Sequence, residues 1–288
     1  MVPEPILEIK SILGEGPVWH EDEQTLYWLD VFLPAINRLD PERGINRATR
    51  LNQPIYAMAL RARGGAIGSF EDGIGFVELG QGTINILGDP KRGQPVNFND
   101  GKCDRRGRFW TGTMAKDWSS PIGGLYRVDQ SMNIEQMDGK IILSNGLGWS
   151  PDDRTMYFTD FGRRMIYAYD FDADTGTIKA RRPFIEISED AGFPDGLTVD
   201  AEGCLWIAHW DGWRVSRYGP DGKVRQVVSM PVQRPTSCAF GGRNFSVLYI
   251  TSARMGLSEA ALADTPLAGS VFAVHTDTAG LPEPKFAA

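Results

Sequence analysis

Four short segments of this chain set acidic or amide side chains beside a glycine: Glu15 in LGEGPVW, Asn99 and Asp100 in FNDGKCD, Asn145 in LSNGLGW and Asp195 in FPDGLTVD. Glu15, Asn145 and Asp195 together form an all-oxygen donor set. Such a set suits one divalent cation, Ca²⁺, Mg²⁺ or Mn²⁺, and also holds Zn²⁺ when water completes the sphere. A cation held this way polarises a carbonyl and activates water, so the chemistry within reach is hydrolysis. Each segment also has an ordinary explanation, because EG, NG and DG pairs favour turns. Asp100 and Gly101 are read that way here, as a turn that sets the direction of the following strand.

Other chemistries lack their residues. The three histidines, His20, His209 and His275, show no paired metal-binding spacing, and His20 and His209 are read as packed or wall residues. Ser144 has no flanking nucleophile elbow, and no glycine-rich phosphate loop opens a helix. Cys103 is taken as a buried structural thiol.

The elements that must position the donors are short strands in a repeating frame. TLYWLD with AINRLDPERG, TMYFTD with MIYAYDFDADTG, and CLWIAHW with RVSRYGPDG each read as strand, turn, strand. GGAIGSF, GRFWTGTM and VLYITSA open three further units. The second strands begin near Leu26, Ala66, Phe109, Met156, Leu205 and Leu248. Spacings of about 40 to 50 residues are those of four-stranded propeller blades. Six units use the chain, which predicts an all-β, six-bladed β-propeller occupying residues 1–288 as one domain. ILEIKSI near the start is expected to close the ring beside GSVFAVHTD, and Ser258–Leu267 alone has helix-like composition.

The innermost strand of a blade starts near the axis. Counting back about 10 to 12 residues from each second strand, at the blade period, reaches Glu15, Tyr56, Asn99, Asn145, Asp195 and the Thr236–Ser237 pair. Five of six units therefore place a polar residue where a strand would ordinarily be apolar. Two carboxylates in one narrow channel repel unless a cation lies between them.

Composition narrows the partners. A net charge of −7 without a basic run argues against nucleic acid. No apolar run approaches the roughly 20 residues that span a bilayer. The opening MVPEPILEIK reads as no signal peptide, and three cysteines without metal spacing suit a reducing cytoplasm.

Taken in order, GEGPVW, FNDGKCD, SNGLGWSPD, DGLTVDAEGCLW and PTSCAFGG resemble the hallmark segments of the regucalcin/gluconolactonase family, also called the senescence marker protein family. The resemblance covers nearly the whole chain. It implies a six-bladed propeller with one divalent cation in the channel, and an enzyme opening sugar-acid lactones. It further implies Glu15, Asn145 and Asp195 as metal ligands and Asn99 as a substrate contact. Two positions depart. Asn97 stands where many members carry an arginine that grips substrate hydroxyls, and so loses a fork of donors and a charge. The family's acidic residue in the loop after GTM has Asp117 as its nearest counterpart. Asp195 is expected to act as general base, one carboxylate oxygen toward metal and the other toward a proton. Asn97 and Asn99 are expected to hydrogen-bond ring hydroxyls. Trp118, Trp210 and Phe32 either form an apolar rim or pack between blades. A phosphotriesterase-type propeller hydrolase and a noncatalytic calcium-binding scaffold are the alternative functions.

Overall fold

Alternating apolar residues at a period of two give each short segment one face to bury on either side of a sheet. In the computed structural model, which describes Met1–Ala288, these segments form six four-stranded antiparallel sheets arranged in a ring. The innermost strands are Gly14–His20, Ile55–Leu60, Val96–Cys103, Ser144–Trp149, Phe193–Val199 and Pro235–Gly241, taken as blades 1 to 6. Each packs against the next, and the first packs against the last. The molecule is a six-bladed β-propeller.

Second strands begin at Thr25, Ala66, Phe109, Thr155, Leu205 and Val247, within one residue of the positions expected from the repeat. The expected closure also forms. Glu4–Leu7 pairs antiparallel with Val271–His275 as the outer strand of blade 6, a few residues earlier than ILEIKSI alone suggests. Closing the ring in this way removes an open sheet edge. The helix-like segment contains the single α-helix, Glu259–Asp264, capped where Ser258 Oγ accepts from Ala261 N at 3.2 Å.

There is no one central core. Six apolar clusters occupy the six seams between adjacent blades. Trp206 against Phe240 fills the seam of blades 5 and 6, and Trp110 against Trp149 and Phe171 fills that of blades 3 and 4. Both faces of every sheet are thereby buried, which leaves the channel walls to the short inner strands.

The sequence suggested no role for the C-terminal segment, yet it is tied down. Gly280 bridges to Asp200 and Phe286 to Arg61, while Phe286 N donates to Leu60 O at 2.8 Å. Its ring is fully buried in the seam of blades 2 and 3. Glu283 meets Lys102 at 3.3 Å, so this segment crosses the end of the channel away from the inner-strand starts.

Candidate active site and metal centre

Every inner strand breaks register near its start. The irregularities fall between Glu15 and Val18, Ile55 and Ala57, Phe98 and Gly101, Ser144 and Leu147, Pro194 and Leu197, and Pro235 and Cys238. A bulge leaves one or two residues out of the ladder and re-aims their side chains. The positions chosen by repeat phase fall in the bulges of five blades and, for Glu15, which pairs with Leu29, at the edge of the bulge in blade 1, and this is how polar residues in strands come to face the axis.

The glycines beside them are needed for close approach between blades. A Cβ on Gly146 would lie 2.5 Å from Leu197 N, and one on Gly196 would lie 2.1 Å from Ser237 Oγ. Neither glycine has a positive φ, so NG and DG here are packing features of the ring rather than turns.

Four residues at these irregularities meet in one pocket: Glu15, Asn99, Asn145 and Asp195. Asn99 Nδ2 donates to Ser144 O at 2.7 Å, which ties blade 3 to the strand carrying Asn145. Glu15 Oε2 accepts from Gly16 N at 2.8 Å. Asp195 is buried, with the Gly196 N–H and the Asn145 amide beside its carboxyl. Asn145 is buried too, and its Oδ1 has no hydrogen-bond partner. A buried acceptor left unpaired costs about 1–3 kcal/mol, which marks this oxygen as one aimed at something else.

The electrostatics agree. Burial raises the Glu15 carboxyl well above its ordinary range, and Asp195 and then Asp100 raise it further. Asp195 is likewise raised, first by burial and then by Asp100, against the opposing Asn145 and Gly196 contacts. No third His, Cys, Asp or Glu comes close enough to Glu15 and Asp195 to form a metal cluster of those types alone. Two carboxylates and an orphaned amide oxygen fit a hard divalent cation, which would remove the repulsion and give Asn145 Oδ1 its partner.

Asp100 is a correction to the sequence reading. It lies within the strand Val96–Cys103, not in a turn, and its carboxyl is pushed up to about 6, chiefly by burial. Lys102 opposes that rise and Glu283 adds to it. The signal available in sequence was the acid of FNDG, which stands beside Asn99 and falls in the same bulge.

The remaining expected residues separate. Asn97 pairs with Met114 two residues nearer the mouth and does not line the pocket. Asp117 is exposed and faces its own loop, accepting from Ser119 N at 3.0 Å and Ser120 N at 2.9 Å. Its neighbour Trp118 does line the pocket, as does Trp210, whereas Phe32 does not. Tyr56 turns its hydroxyl to Glu71, and Thr236 Oγ1 donates to Gly14 O at 2.6 Å, so blades 2 and 6 offer no ligand. His209 is fully buried, hydrogen-bonded through Nδ1 to Ala191 O at 2.9 Å and pushed down to about 4 by burial. It is a neutral wall residue. Cys103 is buried with its thiol pushed up, which makes it inert.

Residues 13–254 match the family model described as SMP-30/Gluconolactonase/LRE-like region. The chain belongs to this family. A Pseudomonas putida protein named 6-deoxy-6-sulfogluconolactonase is 40% identical over 280 residues, covering 96% of each chain. Regucalcin from Danio rerio is 35% identical, covering 94% of this chain and 93% of that one. Among solved structures, a calcium-binding regucalcin from Agrobacterium tumefaciens superposes with a TM-score of 0.94 at 26% identity, covering 99% and 97% of the two chains. Membership in the SMP-30/gluconolactonase family accounts for the ordered hallmark segments, every one of which contributes an inner strand. No helix of the chain is long and apolar enough to cross a membrane.

Proposed function

We propose that this lactonase opens sugar-acid lactones with the help of one divalent cation held by Glu15, Asn145 and Asp195. The observation that carries the reading is the unpartnered Asn145 Oδ1 beside buried Asp195 and half-buried Glu15, both carboxyls of raised pKa, in an open pocket. Bound there, a divalent cation supplies Lewis-acid polarisation of the ester carbonyl and neutralises developing negative charge. The all-oxygen set admits Ca²⁺, Mg²⁺, Mn²⁺ or Zn²⁺.

The side chains do the rest. Asp195 takes the proton of the attacking water, with one carboxylate oxygen toward the cation and the other free to accept it. Asn99 is fixed through its amide to Ser144 O, which leaves its carbonyl oxygen to accept from a substrate hydroxyl. Asn145 holds Asp195 in orientation. Asp117 shapes the loop that carries Trp118. The apolar wall lowers the local dielectric, which strengthens charge interactions at the foot.

An assay of the chelated protein tests this. Lactone turnover should vanish on chelation and return with a divalent metal, while a phosphotriester run beside it is not turned over. Wild-type lactone rates after exhaustive chelation would end the metal mechanism.

A further inference from the structure

The polar groups of the pocket are all at its foot. Above them the wall is apolar and aromatic, with Met114, Trp118, Phe161, Trp210 and Met255 foremost. No cation lines it. Two arginines approach the rings of this wall without lining the pocket. Arg164 lies 3.6 Å over the Phe193 ring, which in turn stacks on Phe161 at 4.7 Å. Arg234 lies 4.6 Å over Trp210 and is ion-paired with Asp211 at 2.6 Å.

Trp118 is the unusual member. Its φ of 61° is a left-handed conformation that a bulky residue rarely adopts. The loop enforces it: Trp118 N donates to Ala115 O at 3.0 Å, and the Asp117 carboxylate gathers the Ser119 and Ser120 amides. The result is an indole left 50% exposed at the pocket. Strain that surrounding contacts hold in place, at a site, points to a binding surface.

Resting on the lactonase reading above, we infer that the pocket selects uncharged lactones poor in hydroxyls, with Trp118 as the specificity-determining residue. A sulfonate or carboxylate held against the wall needs charge-assisted donors, and no cationic side chain lines it. Of the wall side chains only the Trp118 and Trp210 indoles carry an N–H, which donates but cannot accept, so a hydroxyl turned toward the wall loses its water and leaves its own proton without a strong acceptor. A methyl or methylene in the same place gains contact with the indole. This sets the chain apart from the Pseudomonas putida relative, whose name specifies a sulfonated lactone.

Three δ-lactones differing at one carbon test the inference: gluconolactone, its 6-deoxy counterpart and the 6-deoxy-6-sulfo counterpart. With metal-loaded protein, kcat/KM should fall in the order 6-deoxy, parent, sulfonated, by about tenfold at each step. Trp118→Ala should bring the first two near parity, mainly through a higher KM for the 6-deoxy lactone, and Trp118→Phe should keep the order. Sulfonated lactone turned over as fast as the 6-deoxy one, or an unchanged order in Trp118→Ala, overturns the inference alone. No turnover of any of the three overturns the lactonase reading itself.

Discussion

Two groups of carboxylates withdrawn from solvent, fully or in part, sit at opposite ends of the inner strands of this propeller and lead opposite lives. Asp104 and Asp200 close the far ends of blades 3 and 5, in the matching segments DRRGRFW and DAEGCLW. Each is 0% exposed and accepts four hydrogen bonds: two backbone N–H groups, a Trp indole N–H and an arginine. Glu15 and Asp195 open the near ends of blades 1 and 5. They have one backbone N–H apiece, Asp195 has the Asn145 amide besides, and no cationic side chain faces either. Blade 5 carries one of each kind on a single strand and its following turn. Burial therefore does not mark a functional acid. What marks it is burial without a supply of donors.

The largest effect expected from this contrast is on catalysis. Asp195→Asn should lower lactone kcat/KM by about 10²- to 10⁴-fold, while thermal melting of the metal-free protein holds or improves because a repelling charge is gone. A folding defect in this variant would place Asp195 with the structural acids. Next comes Asp200→Ala, which strands Arg217 and the Trp206 indole N–H. Denaturant unfolding should show a loss of about 3–5 kcal/mol, with metal affinity of the folded protein unchanged. A cost near zero would erase the distinction from the other side.

The third effect is a smaller one, on the pH dependence of stability. Glu15, Asp100 and Asp195 are raised in the folded chain, so between about pH 4 and their folded pKa values the native state holds more protons than the unfolded state. Stability of the metal-free protein should therefore fall as pH rises from about 4, continuing through the region near 6 where Asp100 titrates. Glu15→Gln should flatten part of that decline. Added divalent metal should remove most of it, because the cation binds only the folded, deprotonated site. Unfolding titrations across that range, with chelator and with metal, read the slope directly.

The ring was legible in the sequence because period-two strands recur at blade spacing, and the second strands fall within one residue of expectation. The donors were legible for a related reason. Bulges recur in every blade at the same offset, so residues that spoil a strand line up in phase. Asp100 departs from its sequence reading because a DG pair has the composition of a turn, and only the pairing of Gly101 with Thr111 shows that the strand continues through it. Asp117 and Trp118 illustrate the opposite limit. Their order in the chain puts both at the mouth, but hydrogen bonds within the loop decide that the indole faces the pocket and the carboxylate does not. The tail escaped notice because LPEPKFAA has no periodicity. Its buried Phe286 fills a seam formed by blades 2 and 3, which are distant from it in sequence.

Calorimetric titration of a divalent metal into the chelated protein tests the central claim most directly. One saturable site per chain is predicted, with net proton release near neutral pH and affinity weakened at least tenfold in both Glu15→Gln and Asp195→Asn. Saturable binding of equal strength in the wild type and both variants would contradict the account.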